Sequence, residues 1–440
     1  MKNKIPLFFI VLGLIALLLG LFFGLLSSLQ YVFPYFLKNS IPFSKIRPFH
    51  TTSVLSWIIL TATGSIYFFI SKIEKIPFAL PRLPKIHFII FLFTGVAIYL
   101  SFLFGKMEGR EYLSYPSILT IPILIGWFLF GVNYFKTIQK NVINWPVYYW
   151  MWGTGIVFMF YHLCEAHLWL LPSFRRYFIK DITVQWKSYG SFVGSWNMLV
   201  YGIAIYIMSK IKNDIQFAKG KTTFFFYFLG LINLMLGWAH HTYIIPTQVW
   251  IRYLAYGISM TEWIVLIHII YTWKKSLSQK EKEKFSIAYR LILVADFWVF
   301  LNLILALLLS IPSINFFTHG THITVAHSMG TTIGINTTIL LSSVFFILSK
   351  LNKKKIVFSK LKNSFYAYNI FLLLFFFTLL YAGVVRSNWM FFTKNILFSE
   401  MQNSLYYIYI LFFIFGLGLV IALINLIIKL LKRLLPLIFE

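Results

Sequence analysis

The sequence contains few charged residues and a single cysteine. Asp, Glu, Lys and Arg make up only 12% of the 440 residues, against about 25% in an average soluble domain. Hydrophobic residues make up 59%, and the mean hydropathy is +0.79. This composition excludes a water-soluble globule and a disordered chain, so it predicts an integral membrane protein. The lone Cys164 excludes a disulfide framework, a multi-cysteine metal site and a C-x-x-C-H haem attachment motif.

Acidic residues are especially scarce, with 12 Asp and Glu against 39 Lys and Arg and a net charge of +27. In a polytopic protein such an excess indicates loops that lie against an anionic lipid leaflet. The basic clusters Lys274-Lys275 and Lys353-Lys354-Lys355 fall at the ends of apolar runs. We therefore expect the lipid bilayer, and no nucleic acid, as the partner of this charge.

Twelve predominantly apolar runs are long enough to cross a bilayer, which takes about 20 residues per helix. The predicted fold is all-α, a polytopic membrane protein with one twelve-helix transmembrane domain over 1–440. With the N-terminus inside, the inner segments hold 27 basic residues and the outer loops hold 12, so both termini are predicted to be cytoplasmic. The runs are 5–28, 50–71, 86–105, 117–135, 147–171, 189–209, 223–245, 250–273, 286–311, 319–349, 365–385 and 404–428.

Eight of the ten histidines fall in the predicted outer half of the bilayer. An ionisable residue at membrane depth marks a functional site by default, and imidazole is a neutral ligand for iron, copper and zinc. The pattern therefore indicates a metal or haem cluster. Adjacent residues of a regular helix diverge by 100°, so the pair in span 7 would need a local adjustment to reach one metal. The eight are His50, His162, His167, His240, His241, His319, His322 and His327.

Four stretches carry a resemblance to the catalytic subunit I of the haem–copper oxidase superfamily. It is closest to the nitric oxide reductase branch and the C-type cytochrome oxidases. The resemblance runs over the whole chain, and the motifs are specific only in combination. They are Arg47-Pro-Phe-His50-Thr, Gly109-Arg-Glu-Tyr-Leu-Ser-Tyr-Pro116, Gly237-x-x-His240-His241 followed by Glu262, and Thr318-His-Gly-Thr-His-Ile-Thr-Val-Ala-His327.

The resemblance implies two haems, expected to be of b type, and one non-haem iron or copper. It makes His50 an axial ligand of a low-spin haem and His327 the proximal ligand of a high-spin haem. His240 and His241 would bind the non-haem metal that faces this high-spin haem. Glu262 would be the buried glutamate beside the metal.

The resemblance also implies a polar group of residues at the haem propionates. Glu111 would bind a calcium ion that bridges propionates, and Arg110 would lie near one of them. Arg47, in the motif of the second span, belongs to the same haem-binding set.

Two positions depart from the family pattern. The family carries H-x-H on helix X, where this chain has His327-Ser-Met329. Methionine is a competent axial ligand that raises haem potential, so Met329 is predicted to replace the second histidine; the alternative is core packing. On helix VI the third ligand of the non-haem metal is missing. Tyr189, or Ser191 in a shifted register, takes its place.

His162 and Glu165 of span 5 are the candidates for the missing ligand. Residues i and i+3 share a helix face, so both could approach one metal. The alternative is a buried hydrogen-bonded pair, which would leave the metal with two histidines.

These residues predict a di-haem respiratory reductase subunit of the bacterial inner membrane. Electrons would come from an outer-side donor, a cytochrome c-type subunit or a soluble protein, and the substrate would be nitric oxide or oxygen. Tyr243 or Tyr189 could supply the phenol that oxygen chemistry tends to use. A non-catalytic haem protein with a degenerate binuclear site is the alternative; a secondary transporter would contain no haem.

Overall fold

The computed structural model describes residues 4–259, 262–351, 357–393 and 395–439, without the side chains of 259–264. It is built from α-helices, and the described residues contain no strand. The helices are α1 (Ile5–Val32), α2 (Phe43–Phe68), α3 (Leu83–Leu103), α4 (Thr120–Ile138), α5 (Val147–Glu165), α6 (Pro172–Arg175), α7 (Phe178–Lys212), α8 (Lys221–Leu236), α9 (Val249–Ser259), α10 (Glu262–Ser276), α11 (Gln279–Lys284), α12 (Ser286–Ser310), α13 (Pro312–Thr318), α14 (His322–Met329), α15 (Thr338–Leu351), α16 (Lys362–Phe392), α17 (Phe398–Ser404) and α18 (Tyr406–Phe439).

Ten helical segments of the described chain are long and apolar enough to cross a membrane. They coincide with ten of the twelve predicted spans, which confirms an all-α, polytopic membrane protein. The other two predicted spans are occupied by α5, of 19 residues, and by α9 and α10 on either side of residues 260 and 261.

Two helices begin earlier than the apolar runs suggest. Helix α2 begins at Phe43 rather than near residue 50, and α7 begins at Phe178 rather than near residue 189. Both extensions mix polar with apolar residues, so a criterion based on apolar length excludes them. As a result His50 lies two turns inside α2, and Trp186 and Lys187 lie on α7.

Two spans contain an irregular segment at a sequence-predicted ligand. His240 and His241 lie in a 3₁₀ segment, Gly237–Thr242, that follows α8. A π-helical segment, Gly330–Thr337, separates α14 from α15 immediately after Met329. Such local changes of helical pitch are frequent at functional sites because they re-aim side chains relative to a regular helix.

The N-terminal helices pack closely. Helix α1 lies along α2 and also contacts α18, while α5 packs on α7 and α16 on α18. At Gly64 an added Cβ would come within 2.7 Å of the Pro6 carbonyl oxygen, so the close approach of α1 and α2 depends on a residue without a side chain.

Candidate functional site

A cavity of about 900 Å³ lies in the middle of the bundle. It extends on both sides of α14 and reaches α1, α2, α7, α8, α12, α16 and α18. Seven of the sequence-predicted site residues line it, although they come from four separate stretches of the chain. These are Arg47, His50, Glu111, His240, His241, His327 and Met329.

His50 is held by the backbone of α1. Its Nδ1 atom lies 2.8 Å from the carbonyl oxygen of Gly20, which can only accept a hydrogen bond, so Nδ1 carries the proton. The other ring nitrogen, Nε2, is then the one with a free lone pair. A Cβ at Gly24 would lie 2.8 Å from Cε1 of His50, so glycine makes room for the ring. The arrangement presents a neutral, oriented imidazole to the cavity.

His327 and Met329 both line the cavity from α14. Residues two apart on a helix project about 200° apart, and the cavity extends around α14 far enough to meet both side chains. The Nδ1 atom of His327 is buried, and no side-chain hydrogen bond satisfies it among the described residues.

His240 and His241 lie side by side, with their ring centroids 4.1 Å apart. The Nδ1 atom of His240 is buried and has no partner in the described part of the chain. The ring of His241 stacks on Trp186, with centroids 5.8 Å apart and planes 12° apart. Trp186 also meets His319 edge to face, with centroids 6.1 Å apart.

The residue of α7 that faces the histidine pair is Gly190. A Cβ at this position would lie 3.1 Å from Cδ2 of His241, whereas the sequence pattern predicted Tyr189 or Ser191 there. Among the described side chains, which do not include those of residues 259–264, no three from His, Cys, Asp or Glu are placed to hold one metal ion. The described part of the site therefore contains a two-imidazole pair without a third donor.

The polar residues beside the cavity form two ion pairs. Arg47 Nη2 donates to Glu111 Oε1 at 2.7 Å, and both residues line the cavity. Arg110 turns away and pairs with Asp181 at 2.6 Å, with its guanidinium over the Trp169 ring. The structure thus brings Arg47 and Glu111 to the site, while Arg110 lies behind them.

His162 and Glu165 are in contact with each other rather than with the histidine pair. His162 Nδ1 lies 2.9 Å from Glu165 Oε2, and Lys187 of α7 forms an ion pair with the same carboxylate. Neither His162 nor Glu165 lines the large cavity. The structure therefore favours the hydrogen-bonded pair over a metal ligand from α5.

Two other predicted residues, Tyr189 and Tyr243, do not line the cavity, and a third, Glu262, has a side chain outside the described residues. The Tyr189 hydroxyl donates to the Arg110 carbonyl oxygen at 2.8 Å. Tyr243 packs with Ala239 and Ala255, and its buried hydroxyl has no partner among the described residues. Glu262 begins α10, but its side chain lies outside the described residues.

Sequence reasoning missed the face of α7 that closes the site. Trp186, Gly190, Val193 and Asn197 all line the cavity. Their spacing of four, three and four residues is the periodicity of one helix face. This periodicity is present in the sequence. It could be assigned to one helix face only when α7 was known to begin at Phe178.

The comparisons with known proteins agree with this architecture. The family model for cytochrome c and quinol oxidase polypeptide I matches residues 4–418. The chain belongs to this family. One component of the nitric oxide reductase of Stutzerimonas stutzeri is 23% identical over 369 residues, covering 78% of this chain and 74% of that protein.

The fold of this oxidase-family chain is also found in solved structures. The cryo-EM structure of a haem–copper terminal oxidase dimer superposes with a TM-score of 0.77 at 15% identity, over 99% of this chain and 85% of the other. Together with the family match, this confirms the predicted all-α fold of a haem–copper oxidase subunit I and identifies the chain as a membrane oxidoreductase.

Members of this family bind haems and a metal centre, and the residues of this chain fit the two groups unequally. The oriented Nε2 of His50, the position of His327 on the cavity wall and the volume around α14 fit haems. For the non-haem metal, the described residues supply only His240 and His241. Transition metals in proteins normally have at least three protein donors.

Proposed function

We propose that this chain is the di-haem catalytic subunit of a respiratory reductase that reduces nitric oxide, with oxygen as the second candidate substrate. The observation that carries the proposal is the single cavity that joins His50, His327 and the His240–His241 pair on both sides of α14. Haem bound there supplies one-electron redox chemistry and a site for a small diatomic molecule.

The residues of the chain have distinct tasks in this proposal. His50 and Met329 hold the low-spin haem, and the Gly20 carbonyl fixes the tautomer of His50. His327 holds the high-spin haem on the other face of α14. His240 and His241 would be the residues available to hold a non-haem iron or copper ion.

Arg47 and Glu111 form the polar end of this site. The resemblance implies haem propionates and a calcium ion beside this ion pair, and Arg47 would supply the positive charge. We infer that Arg110 acts through Asp181 and positions the backbone of this segment. Glu262 remains the proposed carboxylate beside the metal.

Nitric oxide is favoured over oxygen by two observations. The relative from Stutzerimonas stutzeri is named as part of a nitric oxide reductase. In addition, neither Tyr189 nor Tyr243 lines the cavity, so neither phenol is positioned for oxygen chemistry. One observation counts against nitric oxide. Val193 lines the cavity at the position where the resemblance would place the glutamate of nitric oxide reductases.

The proposed orientation follows the basic residues of the loops. With both termini in the cytoplasm of a bacterial inner membrane, the ligand histidines lie in the outer half. Electrons then enter from the outer side. The sequence alone suggests a cytochrome c-type subunit or a soluble donor, whereas the family description includes both cytochrome c and quinol oxidases.

Haem and metal analysis of the purified chain, combined with anaerobic nitric oxide consumption, tests this function. Two haems, one non-haem metal and nitric oxide turnover are expected. Loss of turnover and of one haem signal in His327→Ala, with the low-spin spectrum intact, would support the assignment. Full activity in that variant would contradict it.

A non-catalytic haem protein is the second candidate, favoured by the absence of a third donor beside His240 and His241 in the described chain. It predicts two haems, no non-haem metal and no turnover with either gas. The same measurements therefore separate the two candidates.

A further inference from the structure

The side chain of Asn302 is buried in the middle of α12, on the wall of the large cavity. It is 2% exposed, and it comes from a part of the chain in which the sequence indicated no site residue. An amide at membrane depth is costly to bury unless its polar atoms are hydrogen-bonded. The partners of this amide therefore indicate what it does.

Two hydrogen bonds in series lead from Asn302 to the main chain of His327. Asn302 Nδ2 donates to Thr331 Oγ1 at 2.7 Å, and Thr331 Oγ1 donates to the His327 carbonyl oxygen at 3.1 Å. Because a carbonyl oxygen can only accept, the Thr331 hydroxyl uses its proton for His327 and accepts from the amide. This fixes the orientation of the amide. We name the pair of Asn302 and Thr331 the Asn302 bridge.

The backbone of Asn302 contacts the side chain of the same histidine. The ring of His327 hydrogen-bonds the backbone carbonyl of Asn302. A ring N–H must be the donor, so the other ring nitrogen keeps its lone pair free. One residue of α12 thus contacts the ring of His327 directly and its main chain through Thr331.

Gly330 provides the space for the Asn302 amide. A Cβ at Gly330 would lie 2.5 Å from Asn302 Oδ1 and 2.7 Å from its Cγ. The Oδ1 atom itself is buried and has no hydrogen-bond partner among the described residues. An apolar side chain of the same shape would avoid the cost of this unsatisfied acceptor. Packing alone therefore does not explain why an asparagine occupies the position.

We propose that Asn302 is a positioning residue for His327. The Asn302 bridge would hold the rotation of the His327 ring and keep the Asn302 carbonyl against it. A partner of the second nitrogen of a ligand histidine orients the ring and raises its basicity, and such hydrogen bonds tune the haem potential. The bridge would thereby set the potential of the high-spin haem. This inference rests on the proposed function, in which His327 holds that haem.

His50 receives the same kind of partner without a bridge. Its carbonyl partner belongs to Gly20, which has no side chain, and the packing of α1 on α2 holds that carbonyl in place. The carbonyl of Asn302 is instead secured by the side chain of its own residue. Substitutions in the Asn302 bridge should therefore change the high-spin haem and leave the low-spin haem at His50 unaffected.

The competing explanation is that Asn302 only fastens α12 to the helices beside it. Another buried amide provides the comparison. Asn336 Nδ2 donates to Asn197 Oδ1 at 3.1 Å and joins the π-helical segment to α7, without involving His327. If Asn302 were purely structural, its removal would lower stability and leave the haem signals unchanged, as we expect for Asn336.

Four substitutions in the full-length, haem-loaded protein test the proposal. Thr331→Val removes the hydroxyl in the middle of the bridge, and Thr331→Ser is its matched control because it keeps that hydroxyl. Asn302→Leu removes the amide at similar volume, and Asn336→Leu removes a buried amide that does not contact His327. The readouts are the iron–imidazole stretching band of the reduced high-spin haem in resonance Raman spectra and the midpoint potential of each haem.

We expect Thr331→Val and Asn302→Leu to lower the frequency of the iron–imidazole band and to raise the midpoint potential of the high-spin haem. The physical reason is that a less firmly held carbonyl attracts the ring proton less, so His327 becomes a weaker electron donor to iron. Thr331→Ser should match the native protein. Asn336→Leu should unfold at a lower temperature with both haem signals unchanged.

An unchanged band and an unchanged potential in Thr331→Val would overturn the proposal, even if Asn302→Leu does not assemble. Equal shifts in Thr331→Ser, in Asn336→Leu or at the low-spin haem would also overturn it, because they would indicate general repacking. His327→Ala separates the two levels of inference. Loss of the high-spin haem in that variant, without a shift in Thr331→Val, refutes the bridge alone. Retention of the high-spin haem in His327→Ala refutes the role of His327 in the proposed function.

Discussion

Trp186 lies almost parallel to His241, with ring planes 12° apart and centroids 5.8 Å apart. One turn further along α7, Gly190 faces the same imidazole. Helix α7 therefore meets the two-histidine pair with an aromatic ring and a bare backbone instead of a third nitrogen. A metal at this pair depends on close positioning of the two rings, because it cannot rely on a ligand from α7.

A methyl group at Gly190 should disturb that positioning. Its Cβ would lie 3.1 Å from Cδ2 of His241 and 3.1 Å from Cβ of Trp238. We expect Gly190→Ala to weaken binding of the non-haem metal about tenfold, the lower range for groups that orient a ligand. Elemental analysis after dialysis measures the effect. Gly194→Ala, whose Cβ would contact only Leu234, is the matched control. Equal metal content in both variants would refute the role of Gly190.

A methyl group at Gly24 tests the position of His50. The added Cβ would lie 2.8 Å from Cε1 of His50, so the ring must move. Its Nδ1 atom, however, is hydrogen-bonded to the Gly20 carbonyl oxygen. We expect Gly24→Ala to lower the low-spin haem content or to shift its absorption, with the high-spin signal retained. Reduced-minus-oxidised spectra report both haems. Gly95→Ala, in open space, should leave both unchanged; an unperturbed low-spin haem in Gly24→Ala would argue against His50 as its ligand.

Met329 can be tested as an axial ligand by exchange for the family's usual residue. Methionine ligation raises haem potential relative to bis-histidine ligation. Met329→His should therefore lower the low-spin midpoint potential and remove the sulfur-to-iron charge-transfer band of the oxidised protein. Spectroelectrochemical titration measures both. An unchanged midpoint potential would show that Met329 is not an axial ligand and only packs on the cavity wall.

The Lys187–Glu165–His162 network predicts effects on stability rather than on the metal. Lys187→Met would leave the Glu165 carboxylate buried without its positive partner, which costs about 3 kcal/mol. The double variant Lys187→Met/Glu165→Gln should recover part of that loss, because it removes the uncompensated charge. Thermal unfolding in detergent provides the comparison.

The metal content of His162→Ala discriminates between the two interpretations of α5. Neither His162 nor Glu165 lines the cavity of the histidine pair, so we expect both haems and the non-haem metal to remain. Loss of the non-haem metal alone would instead restore α5 as the source of a ligand.

The sequence by itself determined the class of fold and the candidate ligand set at the haems. Apolar length specifies membrane spans because the bilayer core leaves backbone groups no partner outside a helix. Histidine stands out at membrane depth because polar groups there are costly, whereas Met329 was selected through the family resemblance. Five ligand candidates could therefore be selected before their shared cavity was known: His50, His327, Met329, His240 and His241.

The tertiary structure decided which groups actually face that cavity. An apolar-length criterion hides the polar first turns of α7, so Trp186 could not be placed on that helix. Helix register decided that Gly190, not Tyr189, meets His241, since a shift of one residue turns a side chain by 100°. Likewise, i and i+3 spacing brings His162 to Glu165. Only packing shows that Lys187 of α7 pairs with the same carboxylate and that neither His162 nor Glu165 lines the cavity.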